Sequence, residues 1–459
     1  MIETHLDLGR QSVKLALIAV MEELFPEDRL KTAYSIQEGV FCRLNETVMS
    51  VREVEAVGRR LREWIAQPPA IRPLGQEGGY HIYEAGERKI AMLYPCDPTL
   101  KAIPPYTIAP FGQGFIVDFE ATGAGMVHPP YKLSKTYHKT QKWLRKLDLE
   151  LIGDVNAMIR EGRHNQLISL AEALHEKEIA EIAEAIVAQS RNLRVLLIAG
   201  PSSSGKTSFA QRLSTQLRVS GLKPVPISLD DYFRDEGDKP LAADGTPDWE
   251  SIHALDLNHL RHQVEALIRG EEIQAPLYSF QLNRRREETR PLSLGEDEIL
   301  VIEGIHALNP ELLPNISRAL VYKIYITALF ELNIDLSNRI PGSEIRLLRR
   351  LVRDDRHRGT DPLETLNMWS GVRRGELVNI FRFQEECDVM FNSSLIYEMN
   401  ALRALGEKTL EKIPEDSQYG WVRKRLLSLL SFCEPLEVEK IPYNSLIREF
   451  IGGSIYFPD

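Results

Sequence analysis

Gly200, Gly205, Lys206 and Thr207 stand in the spacing G-x-x-x-x-G-K-T within "RVLLIAGPSSSGKTSFAQRLSTQL", residues 194–217. An apolar run precedes the motif and an amphipathic pattern follows it, the strand-then-helix context that makes the match specific. The glycines let the backbone curl around phosphate oxygens. The amides of Ser202, Ser203, Ser204, Gly205, Lys206, Thr207 and Ser208 then point at the anion together with the helix N-terminus. Lys206 suits the terminal phosphates, and the Thr207 hydroxyl suits Mg²⁺. A plain serine-rich turn is the bland alternative. It leaves unexplained a lysine in the first helical turn, where positive charge opposes the helix dipole.

Three further stretches carry chemistry. "ISLDDYF" puts Asp230 and Asp231 at the end of the next apolar run, and "ILVIEG" puts Glu303 at the end of another. A carboxylate at such an edge can take a proton from an acceptor hydroxyl or hold Mg²⁺; a helix cap is the bland reading. "RLLRRLVRDDRHRG" carries arginines at 346, 349, 350, 353, 356 and 358, with no acid between 346 and 353. A solvated helix face usually interleaves acids at i+4. The stretch therefore reads as a lid whose guanidinium groups close over phosphates, against a basic surface stripe as the alternative.

The elements that position these residues follow from the pattern. At 459 residues the chain exceeds what one core usually supports, so two or more domains are expected. From Arg194 onward the apolar runs "RVLLIAG", "PVPISLD", "EILVIEG", "VYKIYITAL" and "CDVMFN" alternate with helical segments. That alternation predicts a mostly parallel α/β sheet flanked by helices, with ligands at the carboxyl ends of its strands. Before it, "RQSVKLALIAVMEELFP" and the strand-like "GVFCRLN", "GGYHIYEAGERKIAMLYP" and "GFIVDFE" predict an α+β domain. The boundaries fall at 1–160 (α+β domain), 161–190 (connecting helix), 191–400 (phosphate-binding domain) and 401–459 (helical extension). In that connecting helix, "EALHEKEIAEIAEAI" reads as a solvated face, because His175 lacks a metal-ligand partner at i+4.

Composition narrows the function classes. A net charge of −10 argues against coating nucleic acid through bulk electrostatics. No run of about 18 apolar residues suggests a membrane span, and the apolar N-terminal stretch lacks a leader's basic start and small-residue cleavage site. The four cysteines, Cys42, Cys96, Cys387 and Cys433, are widely spaced and form no zinc or disulfide pattern. A cytoplasmic protein is expected. His128 and His138, near Tyr131 and Tyr137, read as structural or surface residues, and Trp369 is assigned no role.

The segment of about 194–400 resembles the uridine kinase and phosphoribulokinase family of P-loop kinases through "GPSSSGKTS", "ISLDDYF", "GEEIQAPLYSF", "ILVIEGIHAL" and "RLLRRLVRDDRHRG", in family order. The resemblance implies a P-loop NTPase-type fold using Mg²⁺ and ATP, with GTP left open. It makes Asp230 the catalytic base and Thr207 and Glu303 the Mg²⁺ ligands, with Asp230 close to the metal. It makes Arg350, Arg353 and Arg358 the lid arginines acting with Lys206. Glu250 falls where the family has an aspartate on the ribose diol, and Tyr278 and Phe280 match its aromatic wall. Three positions depart from the family: Asn283 replaces a histidine that reads the pyrimidine edge, Phe233 replaces a tyrosine, and Thr360 replaces a further lid arginine.

The front domain resembles the second N-terminal domain of threonyl-tRNA synthetases through "ALIAVMEELFPEDRLKTAYSIQEGVFCRLN". The paired histidines of that family's editing helix are Gln11 and Leu15 here, which implies that editing chemistry is absent. The combination with the terminal "NSLIREFIGGS" resembles two-domain bacterial uridine kinase-like nucleoside kinases.

The leading expectation is phosphorylation of the 5′-hydroxyl of a nucleoside, uridine or cytidine first. The departures at Asn283 and Phe233 keep a sugar phosphate, cyclitol or other polyol open as acceptor, and the front domain keeps an ATP-gated RNA-binding module open. The partner expected is a small molecule, with room for a homo-oligomer.

Overall fold

The computed structural model describes residues 7–119, 129–241, 245, 247–279 and 282–457. Phe280 and His128 lie outside them. Among the described residues no helix is long and apolar enough to cross a membrane.

The front region runs through α1 (Leu8–Leu24), β1 (Leu30–Ile36), β2 (Gly39–Leu44), α2 (Val51–Ala66), β3 (Ile71–Glu77), β4 (Tyr80–Ala85), β5 (Arg88–Met92), β6 (Thr107–Phe111) and β7 (Gly114–Asp118). Its strands form two antiparallel sheets, in the orders β1-β2-β7-β6 and β3-β4-β5. The expected α+β character holds. Helix α1 starts where the Asp7 carboxylate accepts the amides of Gly9 (2.8 Å) and Arg10 (3.1 Å). Most of its length is buried, so it is a core helix. Helix α2 starts on a reciprocal Ser50–Glu53 cap.

Helices α3 (Tyr131–Lys146), α4 (Ile152–Arg160) and α5 (His164–Val187) lead into the second half. The expectation of a solvated face around His175 is wrong: Ala171, His175, Glu178, Ile179 and Ile182 are all buried. The His175 ring packs edge-on against Phe391 at 5.1 Å, and its Nε2 lies 3.1 Å from the Ser394 carbonyl. Charged residues at the neighbouring positions hid an inward stripe. Burial, reinforced by Arg212, pulls the His175 imidazole down to about 3.

The second half comprises β8 (Val195–Ala199), α6 (Lys206–Val219), β9 (Lys223–Ser228), α7 (Leu257–Ile268), the short β10 (Ile273–Ala275), β11 (Tyr278–Ser279), β12 (Arg284–Arg285) and β13 (Arg290–Leu292), then β14 (Glu298–Glu303), β15 (Val321–Thr327), α8 (Gly342–Arg353), α9 (Pro362–Gly375), β16 (Val389–Asn392), α10 (Glu398–Glu411), α11 (Gly420–Ser431) and α12 (Arg448–Ile451). Five strands form one parallel sheet in the order β16-β15-β8-β14-β9. Each coincides with one of the apolar runs; the central β8 is buried at every position, whereas the edge strand β9 buries only Pro224 and Ile227. The crossover from β8 passes over β14 to reach β9, and the crossover from β14 passes back over β8 to reach β15, so the connections leaving these two neighbouring strands run in opposite directions. The carboxyl ends of β8, β14 and β9 therefore open a crevice, where such sheets bind ligands.

The segments after α10 turn back across both halves. Phe432 stacks edge-on against Tyr80 at 5.1 Å, and the Asn156 amide donates to the Phe432 carbonyl at 2.7 Å. Leu446 and Glu449 return to the loop that opens α6.

Candidate active site

The loop between β8 and α6 is built for an anion. Ser203 (φ 57°) and Gly205 (φ 81°) take left-handed backbone, so successive amides turn toward one point. A side chain at Gly200 would place its Cβ 2.4 Å from the Ile326 carbonyl. The hydroxyls of Ser203 and Ser204 are buried without a hydrogen-bond partner. Buried polar atoms are rarely left so without cause, and a polyphosphate in the cradle would supply their acceptors. Lys206 folds back to donate to the Pro201 carbonyl at 3.1 Å. Burial lowers its ammonium, while Glu303, Asp230 and Glu449 pull the other way.

The strand ends deliver the acids beside this loop. Parallel pairing sets Glu303 level with Ser228 and Ile198. The Ser228 hydroxyl donates to Glu303 Oε1 at 3.1 Å and accepts the Asp230 amide at 3.3 Å. Asp230 is exposed as a residue, yet the cleft crowds its carboxyl. That crowding raises it, with Lys206, Arg358 and Arg353 opposing. The same crowding, and then the charge of Asp230, raises Glu303. An acid raised by burial and by a neighbouring carboxylate suits a divalent cation. Thr207, Glu303 and Asp230 are the residues here that could hold Mg²⁺ together with a nucleotide. Asp231 does something else: its carboxylate accepts the Tyr278 amide at 3.2 Å and ties β11 to the cleft.

The arginine stretch divides in two. Arg346 and Arg349 are not free to swing: Arg346 pairs with Glu376 through both nitrogens and donates to the Ser202 carbonyl at 3.0 Å. Arg349 forks onto Glu398 at 2.9 and 2.7 Å and donates to the Ser203 carbonyl at 3.3 Å. Both brace the phosphate loop from behind. Arg350, Arg353 and Arg358 instead gather on the buried Asp354, at 3.3, 2.8 and 3.8 Å. Arg350 also donates to the Ser202 hydroxyl at 2.9 Å. Arg353 and Arg358 stand close enough to oppose the rise of Asp230. The Thr360 amide donates to the Asp354 carbonyl at 3.0 Å and ends the turn.

Residues 195–394 match the model of the Phosphoribulokinase / Uridine kinase family. This segment is a domain of that family. The uridine kinase of Schizosaccharomyces pombe is 31% identical over 196 residues, 42% of this chain and 39% of that protein. The uridine kinase of Bacillus pumilus is 28% identical over 180 residues, 39% of this chain and 76% of that protein. A solved structure described as a possible uridine kinase from Bacillus stearothermophilus is 24% identical and covers 32% of this chain and 79% of its own, with a TM-score of 0.28. The chain thus spans well under half the length of the first of these relatives and about three quarters of the second.

Elsewhere in the kinase-family domain, Glu250 is pressed against Gly375, where an added Cβ would lie 2.2 Å from its own. Burial and then repulsion from Glu376 raise its carboxyl to about 8. Phe233, Trp249 and Tyr278 form an aromatic box, with ring centroids 5.5 to 6.4 Å apart. Asn283 sits at φ 51° in the turn joining β11 to β12, and its carbonyl accepts the Glu236 amide at 3.3 Å. A left-handed turn is a sufficient reason for asparagine there.

Several contributors were missed in the sequence. Lys239 fills the aromatic box: its ammonium lies 3.8 Å over Trp249 and donates to the Tyr278 hydroxyl (2.9 Å) and the Arg234 carbonyl (2.6 Å). Glu376 accepts from Arg346, Arg373 and the Ser202 amide, linking α8 and α9 to the loop that opens α6. Glu449, from α12, accepts the Ser208 hydroxyl at 2.6 Å in the first turn of α6. Only the box had a local signal, in the aromatic residues at 233, 249 and 278.

Proposed function

We propose that the chain transfers the terminal phosphoryl group of ATP to a hydroxyl of a small acceptor, with a nucleoside 5′-hydroxyl, of uridine or cytidine, as the first candidate. The observation that carries this reading is the position of Asp230. It stands at the carboxyl end of β9 among Lys206, Glu303 and the Arg353–Arg358 pair, so one carboxylate faces both the phosphate cradle and the acceptor side. A hydrolase needs only the cradle; the acids, the lid and Glu250 make a second seat.

When bound, Mg²⁺ and ATP supply an electrophilic phosphorus whose charge is already partly neutralised. Thr207, Glu303 and Asp230 are the residues to hold the metal. Asp230 takes the acceptor's hydroxyl proton, which its raised carboxyl favours. Lys206 and the arginines gathered on Asp354 stabilise charge on the transferring group. Glu250, when ionised, accepts hydroxyl hydrogen bonds from the acceptor's diol. The names of the relatives, uridine kinases, support a nucleoside.

One observation favours the second reading, an acceptor bearing its own phosphate or another polyol. The Lys239 ammonium occupies the aromatic face on which a base would stack, and it is itself a partner for an anion. A coupled ADP-release assay over uridine, cytidine, sugar phosphates and cyclitols decides between them. Turnover with the pyrimidine nucleosides supports the first reading; turnover only with a phosphorylated or cyclic polyol replaces it. ADP release that needs no acceptor would end both.

A further inference from the structure

A second site lies behind the phosphate loop, between the front region and the kinase-family domain. Residues from α1, from β1, β2 and β7, and from the segment 327–346 enclose a cavity of about 170 Å³ that shares Pro201 and Arg346 with the loop. None of Asp230, Glu250, Tyr278 or Lys239 lines it. Most of its wall is apolar, including Val13, Leu17, Val40, Val117 and Phe119, yet two cations, Lys14 and Arg339, face into it.

Neither cation is neutralised. Among the described residues no carboxylate pairs with either: Lys14 Nζ donates to the Asn338 amide oxygen at 3.0 Å, and Arg339 donates to the Ser35 hydroxyl. The other charged groups on the wall are committed. Glu38 pairs with Arg10 at 3.2 Å, and Arg346 and Arg373 share Glu376. Asp335, whose charge raises Lys14, accepts the amides of Ser337 and Asn338 rather than a bond from Lys14. Arg339 is 6% exposed. Burial lowers Lys14 to about 8 and Arg339 to about 10, and the charge of Arg339 lowers Lys14 further. Two like charges held close in a largely apolar space are costly unless something negative joins them.

We propose that this cavity binds a small organic oxyanion, a carboxylate or a phosphate monoester, through Lys14 and Arg339, with its apolar part against the α1 and β7 walls. The volume sets the size. A cavity of roughly 150 Å³ holds one benzene ring, so the ligand is about one ring or a short branched chain beside its charged group. The cavity is separate from the proposed acceptor seat, none of whose residues lines it, although it adjoins the phosphate loop through Pro201 and Arg346.

The test is isothermal titration of the full chain with benzoate, phenyl phosphate and the neutral benzyl alcohol, in wild type and in Lys14→Met, Arg339→Met and Lys206→Ala. Benzoate or phenyl phosphate is expected to bind wild type and Lys206→Ala alike, and the tighter of the two identifies carboxylate or phosphate as the head group. Lys14→Met and Arg339→Met should each weaken that binding at least tenfold. Should Arg339→Met fail to fold, Lys14→Met decides alone, since a methionine at the partly accessible position 14 keeps the length of the stem. The proposal is overturned if neither anion binds, if benzyl alcohol binds as tightly, if both charge variants bind like wild type, or if binding disappears with Lys206→Ala.

Discussion

Replacing Arg349 with methionine strands a carboxylate behind the phosphate loop. In the intact chain Arg349 and Glu398 are both 0% exposed and joined by two charge-assisted hydrogen bonds, at 2.9 and 2.7 Å. The substitution leaves Glu398 with the Leu395 amide at 2.9 Å and removes the donors to the Ser203 and Ser393 carbonyls. Breaking a buried pair this way costs about 3–5 kcal/mol, a large share of the roughly 5–15 kcal/mol that holds a typical domain together. Arg349→Met/Glu398→Met removes the stranded charge as well. It should recover at least about 2 kcal/mol relative to Arg349→Met, because the partners are coupled and their losses do not add. Equilibrium urea unfolding, followed by far-UV circular dichroism and tryptophan fluorescence, measures both variants. A cost below about 1 kcal/mol for Arg349→Met, the value of an exposed pair, would refute the reasoning, as would a double variant no more stable than the single one.

Asp230→Asn should lower turnover by roughly 10²–10⁴-fold, the range for losing a general base, with ATP affinity little changed; near-normal turnover in steady-state assays removes Asp230 from the mechanism. Gly375→Ala drives a methyl into Glu250, so the acceptor KM should rise at least about tenfold while the ATP KM stays put; equal changes in both would contradict the placement of Glu250. Because the folded chain raises Glu250 to about 8, it holds a proton that the unfolded chain gives up. Its stabilising effect is complete below about pH 4.5 and fades as pH rises through 8, so the urea midpoint of wild type should fall more steeply from pH 5 to 9 than that of Glu250→Gln. Parallel profiles would show that Glu250 is not the group responsible. Lys239→Met should improve neutral nucleosides relative to phosphorylated acceptors in the same coupled assay, and an unchanged ratio means that Lys239 does not select the acceptor.

What could be read in the sequence divides by distance along the chain. The five parallel strands and the phosphate loop are local patterns, apolar runs followed by turn chemistry, and each lies where its pattern placed it. The carboxylates were legible because they end those runs. Asp354 hid in plain view, one position beyond the acid-free stretch whose arginines it gathers. Glu376 and Glu398 reach Arg346 and Arg349 across 30 and 49 residues, and periodicity carries no information at that range. The same limit explains Lys239: an aromatic box can be suspected from its rings, but not what fills it. Helix α5 failed for another reason. Glutamates and lysines flank its inward stripe so densely that a half-buried helix read as a solvated one.

The contact of α12 with the phosphate loop bears on how the protein is made. Glu449 is synthesised 241 residues after the Ser208 whose hydroxyl it accepts, and Leu446 supplies the surface against which Gly205 rests. During translation the phosphate loop emerges early and lacks its outer wall until long after its own sheet is complete. A nascent chain can therefore carry the whole recognisable signature and still lack the finished cradle. An excised segment 195–394 would be in the same position, a family domain by its sequence with the outer wall of its phosphate loop missing.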